Sequence, residues 1–311
     1  MDPRVHPDFQ KLSHLSLPMH TTSLMATNQF LRSYRKAVHP LPGTVMTLRR
    51  AVSRDGTLIP LRLFSPEKQE QSGACLIYFH GGAFVLTAAP YHYKLANLYA
   101  QQANCTVVMV DYRLAPQHPF PQGLEDCFSA LEWVHHNAAL LGIDHRRIAV
   151  GGDSAGGNLA AVTALLARDE GTLPLCGQML IYPVTDVRME TPSMQEFPDS
   201  PVWNSRLTAK MWQMYLPHPV RRPWQVSPIE APALEDLPDT YLETAEVDCL
   251  RDEGIAYGQS LLRAGNAVTL HQTKGTIHAF DMELHSTIVQ SCIAERVAWL
   301  RDRFTLSENQ E

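Results

Sequence analysis

Arg147-Ile148-Ala149-Val150 leads into Gly151-Gly152-Asp153-Ser154-Ala155-Gly156, and Asn158-Leu159-Ala160-Ala161-Val162-Thr163-Ala164-Leu165-Leu166 follows. This stretch decides the reading of the chain. Its first part is a short apolar run of strand type, and its last part has helical composition. The junction holds the pattern G-x-S-x-G with Ser154 at its centre. A serine on a strand-to-helix turn has its hydroxyl held up into a cleft. Glycines are needed there because the turn crowds any side chain. The helix N-terminus beneath it favours nearby negative charge. Alone, the pattern also fits a packing turn or a phosphate-binding turn.

Working outward, short apolar runs alternate with longer helical stretches. The strands are expected at 75–79, 106–111, 148–151, 178–182, 240–244 and 268–272, and the helices at 92–103, 122–138, 155–169, 251–264 and 285–303. That rhythm predicts βαβ units in a mainly parallel sheet with helices on both faces. A hairpin of strands 47–53 and 58–64 should precede them, because Asp55-Gly56 is a strong turn signal. In such a sheet the chemistry gathers at the C-terminal strand ends. Residues 1–45 read as a small helical arm. Residues 186–230 carry seven prolines and a cluster of bulky apolar residues, with a helix near 208–215. The arm and this insertion are expected to cap a core made of 46–185 and 231–311.

Acyl transfer needs more than a serine. The strand at 75–79 ends in His80-Gly81-Gly82-Ala83-Phe84. Adjacent glycines there let backbone N–H groups face a ligand, as a tetrahedral oxyanion requires. Gly81, Gly82 and Ala155, the residue after the serine, are the expected donors. An acid should follow a later strand. Asp248 lies just past 240–244, with Glu246 as its rival, whereas Asp252 and Glu253 suit a helix first turn. The base should follow the last strand, which selects His278 and gives the order Ser154, Asp248, His278. His80 precedes the serine and reads as a brace for the glycine loop. The segment Asp111-Tyr112-Arg113 reads as scaffold pinned by charge pairs.

Composition sets the outer bounds. The net charge is −6 with a pI near 6.1, which argues against nucleic acid or an anionic membrane as the main partner. No apolar run has membrane-spanning length, and no stable membrane association is expected. The first residues lack the apolar core of a signal peptide. The six cysteines form no C-x-x-C and read as free thiols in a reducing compartment. The expected location is the cytoplasm. No metal or cofactor site stands out, and His135-His136 faces two directions.

Together these motifs resemble the bacterial hormone-sensitive-lipase-like family of α/β-hydrolases, of the carboxylesterase and acetyl esterase type. The resemblance rests on His80 to Phe84, Asp111 to Pro116, His118 to Pro121, Gly151 to Asn158, Asp248 to Gly254, and His278-Ala279-Phe280. It implies an α/β-hydrolase fold with an eight-stranded sheet and a small cap. It implies a Ser154–His278–Asp248 triad, an oxyanion hole at Gly81, Gly82 and Ala155, no cofactor, and esters of short to medium acyl chains as substrates. Three positions depart from the family pattern. Ala83 stands for a third glycine, Cys249 for a proline, and Gln117 for a glutamate. At Ala83, either the backbone keeps φ < 0 or the hole is altered. Cys249 could loosen its loop and leaves a thiol beside the site. The runner-up function is a non-catalytic small-ligand receptor on the same scaffold. An amidase or lactonase would use the same triad. A homodimer is compatible with the sequence but not specified by it.

Overall fold

The structure is a computed structural model that describes residues 2–17, 19–68 and 73–306. Eight strands form one sheet: β1 Thr44–Val52, β2 Leu58–Pro66, β3 Gly73–Phe79, β4 Cys105–Val110, β5 Ile143–Asp153, β6 Gly177–Ile181, β7 Thr240–Val247 and β8 Val268–Ile277. Their spatial order is β1-β2-β4-β3-β5-β6-β7-β8. The β1–β2 hairpin is antiparallel and joins β4 antiparallel; every other pairing is parallel. Strands β3, β4 and β6 are buried at every residue. That is why they read as continuous apolar runs rather than alternating ones.

The helices are α1 Thr21–Arg35, α2 Pro90–Gln102, α3 Gln122–His136, α4 Ala155–Glu170, α5 Pro192–Glu196, α6 Ser205–Tyr215, α7 Arg251–Arg263 and α8 Thr287–Leu306. They cover both faces of the sheet: α3 packs beside α4, while α8 meets α2 through Arg296 and Tyr99 at 3.2 Å. Helix α4 is buried from Ala155 to Leu165, and its Ala and Gly residues let it approach the sheet closely. It ends at Gly171, whose φ of 68° closes a left-handed C-cap that few other residues adopt cheaply. Helix α6 begins where the Asn204 side chain accepts the Leu207 N–H at 3.1 Å.

Two strands run further than their apolar pattern. β5 reaches Asp153, and so carries the residue before the serine to the strand end. β8 continues through the polar Thr273-Lys274-Gly275-Thr276 to Ile277. Its pairing with β7 steps from Ala245↔Thr273 to Val247↔Ile277, a bulge that the Glu246 carboxylate fills by accepting the Gly275 N–H at 2.6 Å. Helix α5 has no periodic signal of its own.

The N-terminal segment lies across these strand ends. His6 N–H donates to the Gly275 carbonyl, and Ser286 Oγ donates to Asp8 at 2.6 Å. Ser16 and Val202 form an isolated parallel bridge, tying the arm to the 186–230 segment. Asn28 of α1 is buried and spans the loop after β3, donating to the Val85 carbonyl and accepting the Thr87 N–H, each at 2.8 Å.

Candidate active site

Ser154 occupies the turn between β5 and α4 with φ 55° and ψ −119°. This region is costly for a residue with a side chain and persists only where the surroundings enforce it. The Ser154 N–H donates to the Ile181 carbonyl at 2.8 Å, anchoring the turn to β6. A Cβ added at Gly156 would lie 2.0 Å from the Phe79 carbonyl oxygen, and one at Gly152 would lie 2.4 Å from the same atom. The turn therefore exists only because both positions lack side chains.

His278 follows β8 directly, and Asp248 follows β7. Ser154 Oγ lies 2.9 Å from His278 Nε2, and His278 Nδ1 lies 2.7 Å from Asp248 Oδ2. Asp248 accepts only, so Nδ1 carries the proton and Nε2 is left to accept from the serine hydroxyl. The other Asp248 oxygen accepts the Leu250 N–H at 3.0 Å. All three residues are buried. The Tyr182 ring meets the imidazole edge-on at 5.0 Å, and the Trp203 ring lies 6.0 Å away. Tyr182 is held in turn by its hydroxyl, which donates to Asp281 at 2.9 Å, and Asp281 is paired with the buried Arg296 at 3.0 Å. The rival acid, Glu246, is occupied by Gly275 and by the structure's pairings does not contact His278.

The glycine loop is organised by Asp153. This carboxylate is fully buried and accepts from Tyr78 Oη at 2.8 Å, Gly81 N at 2.9 Å, and Tyr91 Oη and His92 Nε2 at 3.1 Å each. Burial alone would raise its pKa, but the His92 ring, the Tyr78 hydroxyl and the Gly81 N–H outweigh it and hold the carboxyl below the usual range. One sequence expectation changes here. The Gly81 N–H is spent on Asp153 and is not available to a substrate oxygen. The N–H groups of Gly82 and Ala83 have no acceptor among the described residues. Ala83 has φ 57° and Phe84 φ 59°, so the alanine does not escape to negative φ but takes the conformation a glycine would.

His80 lies beneath this loop. Its Nδ1 is 2.7 Å from the Gly81 carbonyl, its ring stacks on Tyr112 at 4.5 Å, and the Tyr112 hydroxyl donates to its carbonyl at 2.6 Å. Burial, helped by nearby His92, pushes its pKa down to about 3. It is a neutral brace with no contact to the serine. Around it, Arg113 pairs with Asp126 at 2.8 Å and Asp55 at 2.5 Å, and Asp111 pairs with Arg35 at 2.6 Å. Cys249 does not loosen its loop: Ser193 Oγ donates to its carbonyl at 2.7 Å, and the buried Sγ sits 3.6 Å from Thr208 Oγ1. Burial, with the Asp248 charge beside it, pushes that thiol well up. It stays protonated and is a poor nucleophile.

A cavity of about 100 Å³ opens at Ser154 and His278. Its apolar walls come from Leu17 and Leu31 of the arm, Leu86, Val202 and Trp203 of the 186–230 segment, and Met282. Among the described residues no three His, Cys, Asp or Glu side chains converge as metal ligands.

A serine on the β5–α4 elbow of such a sheet, in line with a histidine and a buried acid, defines the α/β-hydrolase class. A family model described as an α/β-hydrolase fold matches residues 76–282, and the chain belongs to that family. It is 40% identical over 237 residues to carboxylesterase NlhH of Mycobacterium tuberculosis, covering 74% of each chain. It is 36% identical over 244 residues to an ethyl acetate hydrolase of Pseudomonas putida, covering 77% of this chain and 76% of that one. Among solved structures, a bacterial heroin esterase superposes with a TM-score of 0.89 at 33% identity, covering 97% of this chain and 98% of the other.

Proposed function

We propose that Ser154, His278 and Asp248 act as nucleophile, base and orienting acid in the hydrolysis of short- to medium-chain acyl esters. The protein is a carboxylic ester hydrolase, as its esterase relatives indicate. The observation that carries the residue assignment is the unbroken line of hydrogen bonds from Ser154 Oγ through both His278 nitrogens to Asp248. His278 Nε2 takes the hydroxyl proton as Oγ attacks the acyl carbonyl. Asp248 keeps the tautomer and stabilises the imidazolium. The imidazolium then protonates the leaving alcohol, and a water activated the same way releases the acid. The developing oxyanion is served by backbone N–H groups of Gly82 and Ala155, with Ala83 in the place expected of Gly81.

The apolar walls of the cavity, from Leu17, Leu31, Leu86, Val202, Trp203 and Met282, support an acyl chain as the group it takes. Side chains from both 1–45 and 186–230 wall it, which supports reading the two segments as one cap. The cytoplasm fits the six free cysteines. The test is hydrolysis of p-nitrophenyl acetate and butyrate. Wild type should turn over both, and Ser154→Ala should lose more than about a thousandfold in kcat. An inactive wild type would favour a receptor on this scaffold, and a fully active Ser154→Ala would end the assignment. Equal or faster rates on matched amides would move the reading to an amidase.

A further inference from the structure

Charge and exposed apolar surface are distributed very unevenly along this chain. Residues 15–58 contain six Lys and Arg against one Asp, a local charge of +5, so the remainder carries −11 of the overall −6. Helix α1 and its C-cap, residues 21–36, contain Arg32, Arg35 and Lys36 and no acid. Arg32, Lys36 and Arg50 make no ion pair among the described residues, and each is exposed. Of eleven large apolar side chains left exposed among those residues, nine lie between 15 and 58. Phe30 is 69% exposed, Leu48 62% and Met25 58%.

These features meet in space as well as in sequence. A groove of about 1,020 Å³ runs along α1, walled by Met25, Gln29, Arg32 and Lys36 on one side and by Pro60 and His118 on the other. Pro60 of β2 is the ladder partner of Arg50 in β1, so this exposed cation stands one strand away from the groove wall. The opposite flank of α1 carries Leu31, which walls the cavity at Ser154. One helix thus lies between a wide cationic groove and the cavity at Ser154, and it also exposes Phe30 and Tyr34.

We infer that α1 and the β1–β2 hairpin form a docking face for the surface of a lipid bilayer bearing acidic headgroups. Cations adjoining exposed aromatic and aliphatic side chains on a surface element are the combination such an interface selects. The apolar side chains enter the headgroup boundary while Arg32, Lys36 and Arg50 meet the headgroups. Docking is reversible and weakened by salt, and it places the mouth of the Ser154 cavity against the phase where apolar esters concentrate. The negative net charge resides outside residues 15–58, and within the groove Asp111 is neutralised by Arg35 at 2.6 Å.

The test is sedimentation of the full chain with phosphatidylcholine vesicles and with phosphatidylcholine–phosphatidylserine vesicles, at low and high salt. Wild type should bind the anionic vesicles in low salt, leave them in high salt, and bind the neutral ones far more weakly. Arg32→Gln, Lys36→Gln and Arg50→Gln should each weaken binding by up to about fivefold. Phe30→Ser should weaken it as well. All four should hydrolyse monomeric p-nitrophenyl acetate at the wild-type rate, which separates a lost surface from a lost fold. Equal binding to both vesicle types, or a triple glutamine variant that binds like wild type, overturns the inference. So does a Phe30→Ser variant that binds fully while the charge variants fail, since that marks a generic polyanion patch. A concentration-dependent dimer abolished by these same substitutions also overturns it, because a second copy then covers the face.

Discussion

Two buried aspartates flank the serine and differ in how many donors they hold. Asp153, one residue before Ser154, accepts from four groups: two tyrosine hydroxyls, a histidine and the Gly81 N–H. Asp248 accepts from two, His278 and the Leu250 N–H. A saturated carboxylate fixes everything around it and has nothing left to respond with. A carboxylate with one dominant partner can answer a change of charge on that partner. The contrast teaches that burial alone does not mark a catalytic acid. Asp153 holds the glycine loop through the Gly81 N–H, and Asp248 is left with the role proposed for it, answering a charge on His278.

The largest effect expected from breaking this contrast is on Asp248. Asp248→Asn keeps the shape but favours the wrong imidazole tautomer, and kcat should fall by about 10³–10⁴. The melting temperature should barely move, because the amide oxygen can still accept the Leu250 N–H. Steady-state kinetics beside a thermal melt check both halves, and a loss of stability matching the loss of activity would erase the distinction.

Asp153→Asn should show the reverse balance. The amide oxygen can keep Gly81 or Tyr78, but its NH₂ now faces donors from Tyr91 and His92. Each stranded buried donor costs about 1–3 kcal/mol, so the fold should lose several degrees in its melting temperature. The kcat loss should be smaller, about 10–100-fold, through a loosened glycine loop. If Asp153→Asn cost more in kcat than Asp248→Asn, the roles given to the two acids would have to be exchanged.

The sequence carried one side of this contrast better than the other. Ser154, Asp248 and His278 follow the ends of β5, β7 and β8, so the strand–helix rhythm and chain order were enough to nominate them, and the structure brings them within hydrogen-bond reach. Gly81 was misread for the same reason Asp153 was overlooked. Their bond spans 72 positions, and nothing in the local pattern of either loop announces it. The signal that existed was a carboxylate fixed inside an apolar strand end, a position that demands donors from elsewhere. Glu246 looked equivalent to Asp248 until the β8 bulge assigned it to Gly275. The outer walls of the cavity were visible only as composition, because Leu17, Val202 and Trp203 reach it from outside any helix or strand and Leu31 from a helix whose start and face the sequence reading did not define.

A third prediction concerns His80, which lies under the loop that Asp153 holds. Its folded pKa is about 3 against 6.5 unperturbed. Between those values the unfolded chain binds a proton that the native protein refuses. Stability therefore falls as pH drops below about 6.5, by up to ~1.4 kcal/mol per pH unit. Replacing His80 by a residue that does not titrate, as in His80→Gln, should flatten denaturant-derived stability over that window. An unchanged slope would mean His80 charges freely in the native state, and that the loop is less tightly buried than the Asp153 contacts indicate.

The smallest effect belongs to Ala83, where the glycine loop departs from its family pattern. The residue is held at φ 57° although alanine disfavours that region by roughly 1–2 kcal/mol. Ala83→Gly removes this strain but adds freedom to the unfolded chain, which returns about 0.4–1 kcal/mol. The net should be a stabilisation of less than about 1 kcal/mol, with kcat within a factor of about two, because the N–H stays where it is. Chemical denaturation of the two proteins reads the first quantity and ester kinetics the second. In an Asp153→Asn background, where the loop is free to relax, the benefit of Ala83→Gly should shrink. That non-additivity would show that Asp153 is what imposes the left-handed backbone on Ala83. Full additivity would instead place the constraint in the loop's own contacts, chiefly the Val85 and Leu86 N–H groups donating to the Gly82 carbonyl.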